Sequence, residues 1–454
     1  MRRYCLGLVL IPLVIGCGDA RDVTEVTVQT IAVPDSATYR LLEKVIEEFE
    51  AENGDVRVRL VGSRRPLEYV FRGVVARADV DIIEVKAGEI AVLAERGALA
   101  LLPQLRETVE ASHSRTAAQA TGPEGVHAVP WSARPKLLMY NRQKLGEPGP
   151  PGDWEEMLAL AERLTRDTEG DGRPDQFGFA LAGQDSADFG RHYTTFLAQL
   201  GVPVMELSAG QWWFNVAPRE GTQVMEFIVG LRNASPPESI VSDDRDAVKQ
   251  FRDGRTAMVI AGPEGLYLPP DGPDFEVGAA ALPAPAAGVS VCDVEFRHLV
   301  VPGYVRGRRK DAAVRFLEFI SGPQGQRIVA RGLEAKRPVV AVRSDVLADE
   351  PYRSDPELRA FVRALDRAAP VLPAYIWEGK GARDWIGALH DILRRDEPST
   401  GVVRDLVYLS QQRGNEALAC RYTEIGHPSA TTALGMMVLG VLVFVAVAYV
   451  VARR

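Results

Sequence analysis

The sequence predicts an α/β protein built as two lobes, and three observations carry that expectation. Strand-like and helix-like patterns alternate from Val23 to Arg96, as in a parallel sheet covered by helices. The chain has 454 residues, more than one hydrophobic core normally supports, so two bodies are expected. Finally, Gly125–Leu145 (GVHAVPWSARPKLLMYNRQKL) sets two apolar strands, Val126–Trp131 and Lys136–Tyr140, on either side of a break at Ser132–Pro135. Pro135 has no donor and restrains its neighbour, so one continuous ladder is excluded. Taken alone, this stretch reads either as a bent hairpin or as a crossover between lobes.

The elements follow in order. Val23–Val33 largely alternates apolar and polar residues, as a strand does. Pro34-Asp35-Ser36 is a turn able to cap a helix over Ala37–Ala51, whose Leu41, Leu42, Val45, Ile46 and Phe49 recur at helical spacing. Asp55–Val61 and Val80–Val85 read as strands, with helices at Pro66–Ala76 and Ile90–Arg96, the latter stopped by Gly97. Asp153 caps a helix reaching Thr165; Phe177–Leu181 is a strand, and Asp188–Leu200 a helix closed by Gly201. Helices at Val216–Leu231 and Ala247–Arg252 precede a buried strand, Thr256–Ile260. The Pro/Ala-rich Leu282–Gly288 reads as a second crossing between lobes. A strand at Leu299–Val301 and helices at Arg309–Ser321, Pro356–Ala368 and Asp384–Leu393 complete the chain's folded part.

Apolar content of 46% and charged content of 25% are those of a globular protein. A net charge of −8 without a basic tract argues against nucleic acid as a partner. The six histidines show no HExxH or HxH spacing and no GxSxG is present, so neither an enzyme nor a catalytic cofactor is expected. Met1-Arg2-Arg3 followed by apolar Leu6–Ile15 reads as a signal peptide over residues 1–16. It ends in Val14-Ile15-Gly16-Cys17, which resembles a bacterial lipobox and implies lipidation of Cys17. Uncharged Ala433–Ala452 before Arg453-Arg454 predicts a transmembrane helix over 431–452, with 396–430 as a juxtamembrane segment. Cys292 and Cys420 remain, and in an oxidising compartment they can form a disulfide if the fold brings them together.

Asp167–Asp175 reads DTEGDGRPD. Side chains of Asp167, Glu169, Asp171 and Asp175 with the carbonyl of Arg173 would surround one point, and Gly172 permits the sharp turn. One structural Ca²⁺ is expected, with a solvated acidic turn as the alternative; Gly178 occupies the position of an EF-hand's bidentate Glu.

Several pieces in order, among them YRLLEKVIEEFEAEN, DVDIIEVKAGEIAVLAERGALALL, the Gly125–Leu145 stretch, DWEEMLALAERLT, FRDGRTAMVIAGPEG and AAVRFLEFISGPQGQRIVARG, resemble the extracellular solute-binding proteins of ABC importers, sugar-binding type. The resemblance spans about residues 23 to 395. It implies a type II periplasmic-binding-protein fold, with lobe 1 from 23–131 and 293–340 and lobe 2 from 136–282 and 346–395. Gly125–Leu145 then becomes the first crossing. In open α/β sheets ligands sit beyond the carboxyl ends of strands. With the resemblance, that places Asp35, Arg64, Glu84, Lys86, Trp131, Arg134, Gly262, Glu264 and Trp377 at a solute site, Trp131 as a stacking wall. Trp212 and Trp213 are weaker candidates, and Arg65 and Arg297 join the possible rim. One departure stands out: similar proteins carry a Gly pair before the Leu299 strand, whereas Glu295 and Phe296 here would fill that space. The implied protein is a receptor on the periplasmic side of the bacterial inner membrane, with a small polar solute and ABC permease subunits as partners. Sugar is the default solute, although the rim's cations would also suit an anion. The alternative is a sensing or scaffold module not coupled to transport.

Overall fold

The computed structural model describes residues 23–62, 79–208, 211–215, 218–268, 270–334, 339–372, 379–396 and 398–424. The expected signal peptide, Cys17, the helix at 66–76 and the membrane span 431–452 lie outside the described residues. Among the described residues, no helix is long and apolar enough to cross a membrane.

The helix Ala37–Glu52 lies between strands β1 (Thr24–Thr30) and β2 (Val56–Gly62), a helix follows β3 (Ile82–Lys86), and a small hairpin, β4 (Thr121–Gly122) with β5 (Gly125–Val126), leads into β6 (Ala128–Pro135). Next come β7 (Leu137–Asn141), β8 (Phe177–Ala180) and a second hairpin of β9 (Met205–Ser208) and β10 (Gln211–Phe214). The last strands are β11 (Thr256–Ala261), β12 (Val277–Ala280) and β13 (Val294–Val300). The first sheet runs β2-β1-β3-β13-β6 and the second β12-β7-β11-β8. The chain therefore leaves the first sheet after β6, enters the second at β7, and returns between β12 and β13. Gly125–Leu145 and the linker after Leu282 are both crossings. The break is narrower than Ser132–Pro135: β6 continues through those residues, pairing Ala133 with Phe296 and Pro135 with Val294. Pro135 tolerates this because its missing donor falls at the strand's last position.

Helix signals are confirmed at their caps. Ser36 Oγ accepts from Tyr39 N at 3.2 Å to start Ala37–Glu52, and Asp153 Oδ1 accepts from Glu156 N at 2.8 Å to start Trp154–Leu164. Phe49 of the first helix meets Phe316 edge-on at 5.2 Å, locking two helices over one face of the first sheet. In the second body Trp154 stacks on Phe227 at 4.3 Å, while its Nε1 donates to Gln199 Oε1 at 2.8 Å. The expected strand at Leu299–Val301 is the tail of the longer β13. Within 396–430, Thr400–Glu424 is a helix packed on Gly379–Leu393 and Pro218–Asn233. Val403 and Val407, one turn apart, are buried in that packing.

Cys292 is a free, buried thiol whose Sγ lies 3.6 Å from the carbonyl of Ala364, so the disulfide to Cys420 is not formed. Its backbone pairs with Arg367 and Ala369, which turns the side chain toward the helix Pro356–Asp366. Cys420 instead belongs to the helix Thr400–Glu424.

Two stability consequences follow from this packing. A Cβ on Gly178 in β8 would lie 1.9 Å from the carbonyl oxygen of Ala161. Gly178→Ala should therefore cost about 2–3 kcal/mol in urea unfolding, from overpacking against backbone. Gly54→Ala, with nothing within 4 Å, should change it by no more than about 0.5 kcal/mol. His298 on β13 is fully buried, its Nε2 is 3.1 Å from the carbonyl of Thr116, and burial pushes its imidazole down to about 4 from 6.5. The unfolded chain thus binds a proton that the folded one refuses, and stability falls as pH drops from 6.5 toward 4. The loss at the lower end is about 3 kcal/mol. His298→Gln should flatten that stretch of the pH–stability curve; an unchanged slope would refute the assignment.

Candidate functional site

The registers bring specific strand ends together. In the first sheet Lys86 pairs with Arg297, Arg297 with Ser132, and Glu295 with Arg134, so the ends of β3 and β6 and the start of β13 share one edge. In the second sheet Ala261 pairs with Leu137, so the end of β11 and the start of β7 share another, followed by Gly262–Glu264. Only Lys136 separates the last residue of β6 from the first of β7. The two edges are consequently adjacent, and the side chains emerging from them meet.

Glu84, completely buried, organises the first edge. Oε2 accepts from the hydroxyl of Thr30 and from Ile31 N at 3.0 Å. Oε1 accepts from Trp131 Nε1 at 3.2 Å and lies 3.5 Å from Arg297 Nη1. A buried carboxylate needs such a set, because desolvation is repaid only by charge and several donors together. Arg297 in turn binds Glu295 at 2.7 Å, and Lys86 Nζ takes the other oxygen of Glu295 at 2.7 Å. Burial alone would raise the Glu295 carboxyl, but Lys86, Arg297, Arg134 and Arg191 outweigh it and hold the group well below the usual range.

At the junction Arg134 Nη2 reaches across to Glu264 Oε1 at 3.0 Å, joining the first sheet to the second. Glu264 raises the Arg134 guanidinium above its ordinary value. Lys136 pairs with Asp244 and lies 3.6 Å from Asp293, which also faces Arg191 Nε at 3.4 Å. Burial pulls the Lys136 ammonium down, yet the two carboxylates prevail and raise it. His192 Nε2 is 3.6 Å from Asp244 Oδ1; burial and then Lys136 lower the imidazole, keeping it neutral. Arg134 Nε and Glu264 Oε2 are buried without a hydrogen-bond partner, as are Ser132 Oγ, His192 Nε2 and Asp244 Oδ1 around them.

The structure thus brings Glu84, Lys86, Trp131, Arg134, Glu264 and Arg297 into one neighbourhood. Gly262 lies beside them, since a Cβ there would meet Glu264 Oε2 at 2.6 Å. Trp131 departs from its expected role. It is fully buried, and its carbonyl accepts from Gln326 Nε2 at 2.9 Å, so it braces Glu84 and presents no stacking face in this conformation. Asp35 also departs: it is exposed in a left-handed turn with φ 66°, its carbonyl held by Arg40 at 2.7 Å, apart from the charged cluster. Phe296 turns into the core while its neighbours Glu295 and Arg297 face the boundary, as strand alternation requires. Arg64, Arg65 and Trp377 lie outside the described residues, as do the side chains of Trp212 and Trp213 on β10. Lys136, Arg191, His192, Asp244 and Asp293 escaped the sequence reading. Apart from the adjacent Arg191 and His192 they are scattered singly, and only the position of Lys136 directly after the crossing's proline could have flagged one of them.

The acidic loop is closed by its own amides. Asp167 accepts from the backbone N–H groups of Gly170 at 2.5 Å and Gly172 at 2.7 Å. Asp175 accepts from Glu169 N at 2.9 Å, and Asp171 from Arg173 N at 2.9 Å. Among the described residues no group of three His, Cys, Asp or Glu side chains converges as a metal site.

The sequence profile described as bacterial extracellular solute-binding protein matches residues 44–360. No curated protein matches the chain by sequence. Among solved structures, the maltose-bound MalE3 of T. maritima superposes with TM-score 0.72 at 18% identity, over 86% of this chain and 98% of that one. A ribitol complex of an ABC-transporter solute-binding protein from Agrobacterium radiobacter K84 gives 0.70 at 16% identity, over 87% and 99%. A Thermotoga lettingae protein of the same description, bound to α-D-tagatose, gives 0.69 at 19% identity, over 87% and 100%.

The Glu84 cluster makes its own test. Glu84→Gln keeps the shape but removes the charge facing Arg297, and should lower stability by about 3 kcal/mol. Tryptophan emission should shift in parallel if Trp131 is braced as described.

Proposed function

The chain belongs to the bacterial extracellular solute-binding protein family, and from that premise we propose that it captures a carbohydrate or polyol between its two lobes and presents it to an ABC importer. The observation that carries this reading is the junction itself, two sheet edges joined by single crossings and tied by Arg134 and Glu264. Lobes connected this way can rotate about Lys136, and the Arg134–Glu264 contact lies where a solute would come between them. The structural relatives bound to maltose, ribitol and tagatose lend weight to a polyhydroxylated solute.

Charge bookkeeping favours a neutral solute over an anion. Lys86, Arg297 and Arg134 each already face a carboxylate, so an anion would have to displace a charge-assisted bond to gain one. A hydroxyl both donates and accepts, and therefore suits the unspent Glu264 Oε2 and Arg134 Nε together. In this reading Cys17 and residues 431–452 tether the receptor to the inner membrane, with the binding lobes on the extracytoplasmic side.

Thermal-shift screening against sugars, polyols and small anions tests the reading. A ligand at a hundredfold excess over its dissociation constant should stabilise by about 2.7 kcal/mol. Arg134→Ala and Glu264→Ala should each weaken that ligand by about tenfold or more, the value of a charge-assisted hydrogen bond. A screen in which no sugar or polyol shifts the melt sinks the carbohydrate reading, and an unchanged affinity in both variants removes the junction as its site.

A further inference from the structure

The crossings have a second face. Successive residues of an extended chain point to opposite sides. Lys136 and Asp293 turn toward Asp244 and Arg191, so their neighbours Leu137 and Cys292 turn the other way. There Leu137, Leu282 and Cys292, with Ala364 of the helix Pro356–Asp366, line a cavity of about 300 Å³. Its walls come from the first crossing, from both ends of the second, and from that helix. The volume is at the small end of those that hold organic ligands.

The rim is cationic and uncompensated. Arg363 and Arg367, four residues apart, both line the cavity, and neither side chain has a hydrogen-bond or ion-pair partner among the described residues. Nearby carboxylates are engaged elsewhere: Asp366 with His113 at 3.1 Å, and Asp293 with Lys136 and Arg191. The thiol at the floor adds no negative charge, because burial and then Asp293 push it up to about 12. An anion here would meet the carboxyl end of a helix, a weak, solvent-screened repulsion. A charge-assisted bond to a guanidinium is the stronger interaction, and two are on offer, so the arginines prevail.

We propose that this cavity is a second ligand site, distinct from the solute site at the junction, for a small amphiphilic monocarboxylate. Its apolar body lies against Leu137, Leu282 and Ala364, and its carboxylate lies between Arg363 and Arg367. The assignment does not rest on the identity of the transported solute, so either reading can fail without the other.

The test is calorimetric titration of the full-length chain in detergent with phenylbutyrate and with its neutral isostere phenylbutanamide, against matched detergent blanks. The carboxylate is expected to bind saturably at one site, and the amide about tenfold or more weaker, the value of the lost ionic contact. Arg363→Gln with Arg367→Gln, both exposed positions that leave the core intact, should bring the carboxylate down to the level of the amide. Three outcomes overturn the proposal: no saturable binding of phenylbutyrate, equal binding of the amide, or carboxylate affinity retained in the double variant.

Discussion

Lys136 stands where the chain passes from one sheet to the other, and its charge is held there by two carboxylates from different parts of the sequence. Asp244 comes from the second body and Asp293 from the returning crossing, whose carbonyl also accepts from Lys136 N at 2.8 Å. A partly buried ammonium is costly unless paired, so this one position draws both crossings and a helix of the second body together. Everything else at the junction depends on that convergence. Arg134, two residues before, can reach Glu264 only because the strands are joined so tightly.

The same constraint explains why the boundary is ionic. Charged side chains that emerge here are met by charges from other elements: Lys86 by Glu295, Arg297 by Glu84, Arg191 by Asp293. Breaking one partner of such a set strands the other in a poor solvent for ions. Such pairing makes the arrangement specific, more than it makes it stable. It also leaves few charges available for a ligand on that side, in contrast to the unpaired arginines behind the crossings.

Much of the fold was legible in the sequence. Strand and helix periods, the caps at Ser36 and Asp153, and the proline at the first crossing each act through near neighbours, so they survive without knowledge of the rest. Lys86, Arg134 and Glu264 lie near the junction, at strand ends that are local features too. The burial of Trp131 was not legible. The strand carrying Trp131 is buried on both faces, so no alternation distinguishes a cleft-facing ring from a core one. In the acidic loop, spacing brings the oxygens close, but the backbone turn decides that they receive amides.

The sequence by itself determined many of the elements, their order, the two crossings and the family. Those rest on hydrophobic period, backbone restriction and motifs read within a few residues. Only the tertiary structure decided which charges meet. Glu84 and Arg297 lie 213 positions apart, and Lys136 and Asp244 lie 108 apart. Ion pairing depends on distance through space, and that distance is set by register and sheet order, for which a linear pattern carries no signal.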